Sequence, residues 1–207
     1  MNRLKNHHSL ADFDWSDVNK RALDTGLFVS PPSCLRCRND QAGFETVHFL
    51  CKHADTLDIP DGRIVCWMRT HHPNSAGFRL TFRNQCADGS ADFANCYFIG
   101  IFTDTTYIGH RIAGDETYFR TITWAWAPDT WYHIRLTWES EPDPGNGTRI
   151  KITFELEVDD EWVQQGDTAY DSADLWKDSG TNRVGGSRET HISYPNYEDD
   201  TEYWAKS

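Results

Sequence analysis

Trp131-Tyr132-His133-Ile134-Arg135-Leu136-Thr137-Trp138 and, after a Pro/Gly loop, Ile150-Lys151-Ile152-Thr153-Phe154-Glu155-Leu156-Glu157-Val158 decide the fold. In each stretch apolar and polar residues alternate with a period of two, which turns one face of a strand toward a core and the other toward water or a ligand. Tyr132, Ile134, Leu136 and Trp138 share one phase, and Ile150, Ile152, Phe154, Leu156 and Val158 supply the matching face of a partner strand. The two read as a β-hairpin. On its other face His133, Arg135 and Thr137 are expected beside Lys151, Thr153 and Glu155, where opposite charges pair across strands for roughly 0.2–1 kcal/mol each.

The same rhythm extends outward in both directions. Gly62–Arg69, Gly77–Phe82, Cys96–Phe102, Tyr107–Ala113 and Thr117–Trp126 precede the hairpin, separated by turn-forming Asp, Gly, Pro and Thr clusters, and Trp162–Gln165 and Arg183–Ser187 follow it. About a dozen short strands at regular spacing, with no long helical pattern, predict an all-β, two-sheet antiparallel sandwich. Residues 1–20, polar with Leu10, Phe13, Trp15 and Val18 as anchors, read as an N-terminal arm; 21–193 as the sandwich; and 194–207, mixing acids and rings without a period, as a C-terminal tail that packs through its rings.

At 207 residues the chain suits one large β domain, whose core needs no staple. Its formal net charge of −12 argues against nucleic acid, because binders of phosphate backbones gather Lys and Arg to release counterions, and no such cluster occurs. No apolar run approaches membrane-spanning length, so no membrane insertion is expected. The start, Met1-Asn2-Arg3-Leu4-Lys5-Asn6-His7-His8, lacks the apolar stretch of a secretion signal. Nine Trp and eight Tyr exceed what a core usually requires, so some rings are expected at the surface with a ligand to meet.

At this point three segments carry a resemblance. Gly62-Arg63-Ile64-Val65-Cys66-Trp67-Met68-Arg69, then Asp129-Thr130-Trp131-Tyr132-His133-Ile134-Arg135-Leu136-Thr137-Trp138, then Thr181-Asn182-Arg183-Val184-Gly185-Gly186-Ser187 resemble, in order, strands of the concanavalin A-like lectin/glucanase superfamily, and most of all its laminin-G-like members. The resemblance implies a jelly-roll sandwich. The Val-Asp-Gly turn of that family stands here as Val158-Asp159-Asp160-Glu161, so its tight glycine turn is altered.

Glu157-Val158-Asp159-Asp160-Glu161 invites a catalytic reading, since alternating carboxylates on one strand face can serve a retaining glycosidase. Related glucanases carry such a strand before the Trp-His strand; here it comes after, where the family turns a hairpin. Solvated turn acids are therefore expected, and no catalytic residue is assigned. Cys34-x-x-Cys37 with Cys51-Lys52-His53 has the residue types of a zinc site, but in a strand residues three apart face opposite sides, so no metal is assigned there either. Asp167, Asp171, Asp174 and Asp178 do not match a calcium loop, and calcium remains the one cofactor left open.

Trp124-Ala125-Trp126 sets two indoles on one strand face, with Tyr118, Arg120 and Ile122 expected along it. Residues so placed either fill the core or form a sugar platform; since flat rings stack against the apolar faces of pyranoses while charged and amide groups bond hydroxyls, Trp124, Trp126, Tyr118 and Arg120, with Tyr170 and Trp176 from a later loop, are the candidate ligand-binding residues on the second reading. The sequence thus predicts a non-catalytic jelly roll that recognises carbohydrate as a structural or adhesive component of a larger particle, such as a phage or virion surface. Its expected partners are a glycan and further subunits, in a homo-oligomer or multi-chain particle, and its place a virion or extracellular surface. The alternative is a polysaccharide hydrolase or lyase using Glu155, Glu157, Asp159 or Glu161 as acids beside His133 and Arg135.

Overall fold

Strand forms wherever the period-two pattern runs, and the strands assemble into two antiparallel sheets. The computed structural model describes the backbone of residues 2–7, 13–15, 21–24, 34–37, 45–51, 58–70, 77–86, 93–102, 105–124, 126–145, 147–179, 181–190 and 196–206; side chains are described from 58 onward within these spans, except 70, 187–190, 196–200 and 203. Pro31-Pro32, Lys52-His53 and His71-His72, each noted in the sequence, lie outside the described residues, as do the side chains of Cys34, Cys37 and Cys51.

The first sheet, sheet A, orders its strands β13 (Glu161–Gln164), β12 (Thr148–Val158), β11 (Tyr132–Pro142), β6 (Gly62–Thr70), β16 (Asn196–Ala205), β4 (Cys34–Cys37) and β3 (Arg21–Asp24), with β1 (Asn2–His7) on β16 and β14 (Ala169–Asp171) on β12. Sheet B runs β10 (Asp115–Thr123), β9 (Thr105–Ile112), β8 (Cys96–Ile101), β7 (Phe78–Asn84), β15 (Arg183–Thr190), β5 (Glu45–Cys51) and β2 (Phe13–Trp15). The segments read as arm and tail both enter the sheets. The tail strand β16 pairs β6 along one edge, and along the other pairs β4 with its first residues and β1 with its last.

One core lies between the sheets. Sheet A contributes Ile64, Cys66, Met68, Ile134, Leu136, Trp138, Ile150, Ile152, Phe154 and Leu156, and sheet B contributes Phe78, Leu80, Phe82, Tyr97, Ile99, Ile101, Ile108, Ile122 and Val184. These are the alternate residues of each strand, every one less than 9 % exposed. Burying an aliphatic or aromatic side chain contributes about 1.5–3 kcal/mol, which explains why register here is strictly held: a one-residue slip would turn a whole row into water.

The β11–β12 hairpin forms as expected, with Ile134 opposite Leu156 and Leu136 opposite Phe154. Its outer face is a ladder of complementary charges. His133 meets Glu157 at 2.6 Å, Arg135 meets Glu155, Thr137 lies opposite Thr153, Lys151 donates to Glu139 at 3.2 Å, and Arg149 donates to Glu141 at 2.8 Å. The altered turn resolves as well. Asp159 and Asp160 take φ of 53° and 65°, the left-handed pair of a two-residue hairpin turn that Asp tolerates without glycine.

Candidate functional site

The six residues expected to bind ligand fall into three places. Trp126 is 5 % exposed and sits in the core against Phe78 and Tyr132; Trp124 packs on it edge-on, at 5.1 Å from Tyr132 and 5.8 Å from Phe154. Trp176 lies edge-on against Tyr97, also packed on the core. Tyr170 is exposed on the outer face of sheet A beneath the Arg149 guanidinium, 3.9 Å from its ring centre. Tyr118, half exposed, stands on the outer face of sheet B.

The expected single stripe from Tyr118 to Trp126 is broken by a β-bulge. Pairing of β10 with β9 slips between Tyr118 and Arg120, so Tyr118 stands opposite Gly109 on one face while Arg120 stands opposite the core residue Ile108 on the other. An extra residue reverses the alternation, and Ile122 therefore points inward. Arg120 turns instead to the Thr168 carbonyl at 3.3 Å and to Asp167 at 3.4 Å. The bulge sends the two indoles to the core and leaves Tyr118 outside.

Around Tyr118 the outer face of sheet B gathers residues that sequence reasoning did not single out. The alternation that buries Phe78, Leu80 and Phe82 in β7 turns Arg79 outward; in β8 it turns Phe98 and Gly100 outward, and in β9 Tyr107, Gly109 and Arg111. Arg79 reaches from β7 to β10, where its guanidinium hydrogen-bonds Glu116, with a second contact at 3.4 Å. Gly100, opposite Arg79 on β8, leaves the arginine stem a path, with the Arg79 Cγ 3.9 Å from where a Gly100 Cβ would stand. On the way it covers the Phe98 ring, 5.1 Å from its centre, and Phe98 is 1 % exposed although it faces away from the core.

Glu116 is the hub. The Tyr118 hydroxyl donates to it, and Arg111 Nε lies 3.3 Å from its carboxylate. Burial alone would push this carboxyl up, but the Arg79 and Tyr118 hydrogen bonds and the charges of Arg79 and Arg111 outweigh it and hold it below the usual carboxylate range. The Tyr118 hydroxyl moves the other way, raised by burial and by the adjacent carboxylate. Tyr107 tilts against Tyr118 at 5.2 Å, and Phe102 meets Tyr107 edge-on at 5.9 Å. The result is an aromatic surface fixed from beneath by a charged cluster; Arg79 and Glu116 side chains are 23 % and 19 % exposed, so both can be reached from solvent.

Of the acids of the alternative, catalytic reading, Asp159 and Glu161 are exposed at the β12–β13 turn, and Glu155 and Glu157 stand on the outer face of sheet A and are engaged. Glu155 is held by Arg135 and Glu157 by His133, which itself stacks on Trp67 at 4.4 Å, while Arg135 lies over Trp162 at 4.4 Å. The four acids considered for calcium do not converge: Asp167 meets Arg120, Asp171 accepts from Tyr97 at 2.8 Å and contacts His110 at 3.1 Å, Asp174 is bonded by Arg83 at 2.7 Å, and Asp178 is exposed. Among the described residues no group of three or more His, Cys, Asp or Glu gathers as a metal ion would require.

Comparison with solved structures matches the whole sandwich. The carbohydrate-binding module CBM66 from Bacillus subtilis superposes with a TM-score of 0.53 at 14 % identity, covering 91 % of this chain and 93 % of its own. The carbohydrate recognition domain of Emp46p in its metal-free form gives 0.58 at 12 % identity, over 95 % and 88 %. The exoplasmic/lumenal domain of VIP36, solved with calcium and Man3GlcNAc, gives 0.53 at 11 % identity, over 96 % and 85 %. The chain has the two-sheet jelly-roll fold of these domains. At these identities the likeness establishes the fold, not the ligand. No family model matches the sequence, and no curated protein matches it.

Proposed function

We propose that this jelly roll recognises carbohydrate, and that the sugar lies on the outer face of sheet B over Tyr107 and Tyr118. The observation that carries the reading is the Arg79–Glu116–Tyr118 cluster: an exposed ring whose hydroxyl is tied to a shared carboxylate. Rings of this kind cover the apolar face of a pyranose, while an ionised carboxylate accepts from sugar hydroxyls and a guanidinium donates to them. That CBM66 is a carbohydrate-binding module, that the Emp46p domain is a carbohydrate recognition domain and that VIP36 was solved with Man3GlcNAc supports the ligand class.

This reading is a binding function rather than hydrolysis or lysis of polysaccharide. The particle component expected from sequence, a subunit of a phage or virion surface, draws no support from the face described here, and the proposal stands without it. A glycan array tests the proposal, followed by titration of the selected glycan into Tyr118→Ala, Glu116→Gln and Tyr170→Ala. Tyr118→Ala and Glu116→Gln are expected to weaken binding at least tenfold with Tyr170→Ala unchanged; loss in Tyr170→Ala with Tyr118→Ala intact would move the site to sheet A.

A further inference from the structure

Five oxygens close on the Arg83 guanidinium. Its Nε donates to the Pro60 carbonyl at 2.6 Å; Nη1 donates to Asp174 Oδ1 at 2.7 Å and to the Leu175 carbonyl at 3.0 Å; Nη2 donates to Asp61 Oδ1 at 3.1 Å and to Ser140 Oγ at 2.7 Å. Alternation along β7 would point this side chain away from the core, since Phe82 before it is buried. Instead Arg83 has φ of 47°, its pairing with β15 is irregular, and its side chain is fully enclosed. A left-handed arginine is costly and persists only where its surroundings fix it.

Two carboxylates, two carbonyls and a hydroxyl, all oxygen, make the donor chemistry that a hard divalent cation such as calcium takes. The oxygens come from three separate pieces of chain: Pro60 and Asp61 ahead of β6, Ser140 in β11, and the Asp174-Leu175 turn. Ser140 Oγ also lies 3.2 Å from Asp61 Oδ1 and 3.1 Å from Asp174 Oδ1, so the oxygens gather about the guanidinium, whose planar fork meets them through three separate nitrogens, whereas calcium draws its ligands to about 2.3–2.6 Å from a single point. The turn so held is strained in its own right, with Asp174 and Trp176 at φ of 40° and 61°. Tyr97 secures it from the other side, accepting from the Leu175 amide at 2.9 Å and donating to Asp171.

We propose that Arg83 is a built-in counter-cation: its guanidinium does for the 171–177 turn what a bound calcium ion would otherwise do, so that this jelly roll folds, and binds its ligand, without calcium. The folding clause stands on the Arg83 geometry alone. The binding clause rests on the carbohydrate reading above.

The test compares melting temperatures of the wild type, Arg83→Met and Arg83→Lys after dialysis against EDTA and again in millimolar calcium chloride. The wild type is expected to melt at the same temperature in both. Arg83→Met, which leaves the buried Asp174 and the partly buried Asp61 carboxylates without their cation, is expected to fall by on the order of 10 °C in EDTA, with Arg83→Lys between the two. A saturable rise of the wild-type melting temperature with calcium, or an Arg83→Met protein as stable as wild type in EDTA, overturns the proposal. Should Arg83→Met fail to fold, the wild-type comparison still decides the calcium question and Arg83→Lys carries the second arm. Array binding by the wild type is then measured with and without EDTA: equal binding supports the second clause, loss in EDTA overturns it, and an array blank in both conditions defeats the carbohydrate reading while leaving the melting result intact.

Discussion

Leu136→Ala and Thr137→Ala, neighbours on β11, separate the two faces of the hairpin by energy. Leu136 is fully buried, opposite Phe154 on one side and Ile64 on the other. Truncating it removes three carbons from a packed interior and leaves a cavity that neighbouring strands cannot close, at a cost of about 3 kcal/mol within the range of 2–5 for such changes. In a domain of this length each kcal/mol moves the melting temperature by roughly 2–4 °C, so a fall of roughly 6–12 °C is expected. Thr137, one residue on, lies in the outer row opposite Thr153, and its change to Ala is expected to stay within about 0.5 kcal/mol. Urea unfolding followed by tryptophan fluorescence reads both, with the slope against urea unchanged if only native packing is lost. Equal costs for the two, or a greater cost for Thr137→Ala, would refute the assignment of faces on which the sandwich is built.

Three further outcomes are expected. Replacing Asp159-Asp160 by Asn-Gly relieves the left-handed backbone at both turn positions and is expected to raise the melting temperature by the equivalent of about 0.5–1 kcal/mol, read by calorimetry; a fall would contradict the turn type. Burial raises the Asp174 carboxyl, but hydrogen bonds from Thr148, Arg83 and Ser140 and the Arg83 charge outweigh it and leave it below its ordinary value of 3.8. Its contribution to stability is therefore present above that value and lost as pH falls through the lower, folded-state value; Asp174→Asn is expected to flatten the acid limb of melting temperature against pH, and an unchanged limb would count against the buried pair. Trp124→Ala and Trp126→Ala are expected to lower stability, Trp126→Ala by about 3–5 kcal/mol, as core truncations do; a variant that melts like wild type yet loses glycan would place the indoles in the site after all.

The fold was legible where alternation is uninterrupted. From Ile134 to Trp138 and from Ile150 to Leu156 every second residue could be assigned to the core, and the charge rows across the hairpin followed from the same count; Val158, read in the same row, is instead about half exposed where the strand ends at the turn. It was not legible where one residue breaks the period. The bulge after Tyr118 reverses the face of everything that follows, so Trp124 and Trp126 could not be told from a platform by counting alone. Arg83 turns inward through a left-handed backbone that no spacing announces, and the acids that bind it lie 22 and 91 positions away in sequence. The tail strand β16 hides for a related reason, with its pairing to β6 irregular between Asp199 and Glu202 and acids along much of its length. Of the site, Tyr118 was found through its ring; Arg79, Tyr107 and Glu116 were within reach of the alternation in their strands, but nothing in one sequence says that a side chain of β7 reaches across β8 and β9 to β10.

A crystal structure of the complex with the array-selected glycan tests the assignment of the binding face most directly. The account predicts a pyranose over Tyr107 and Tyr118 with a hydroxyl bonded to Glu116 or Arg79; sugar density on the Trp67–His133–Trp162 face of sheet A, with the sheet B face bare, would contradict it.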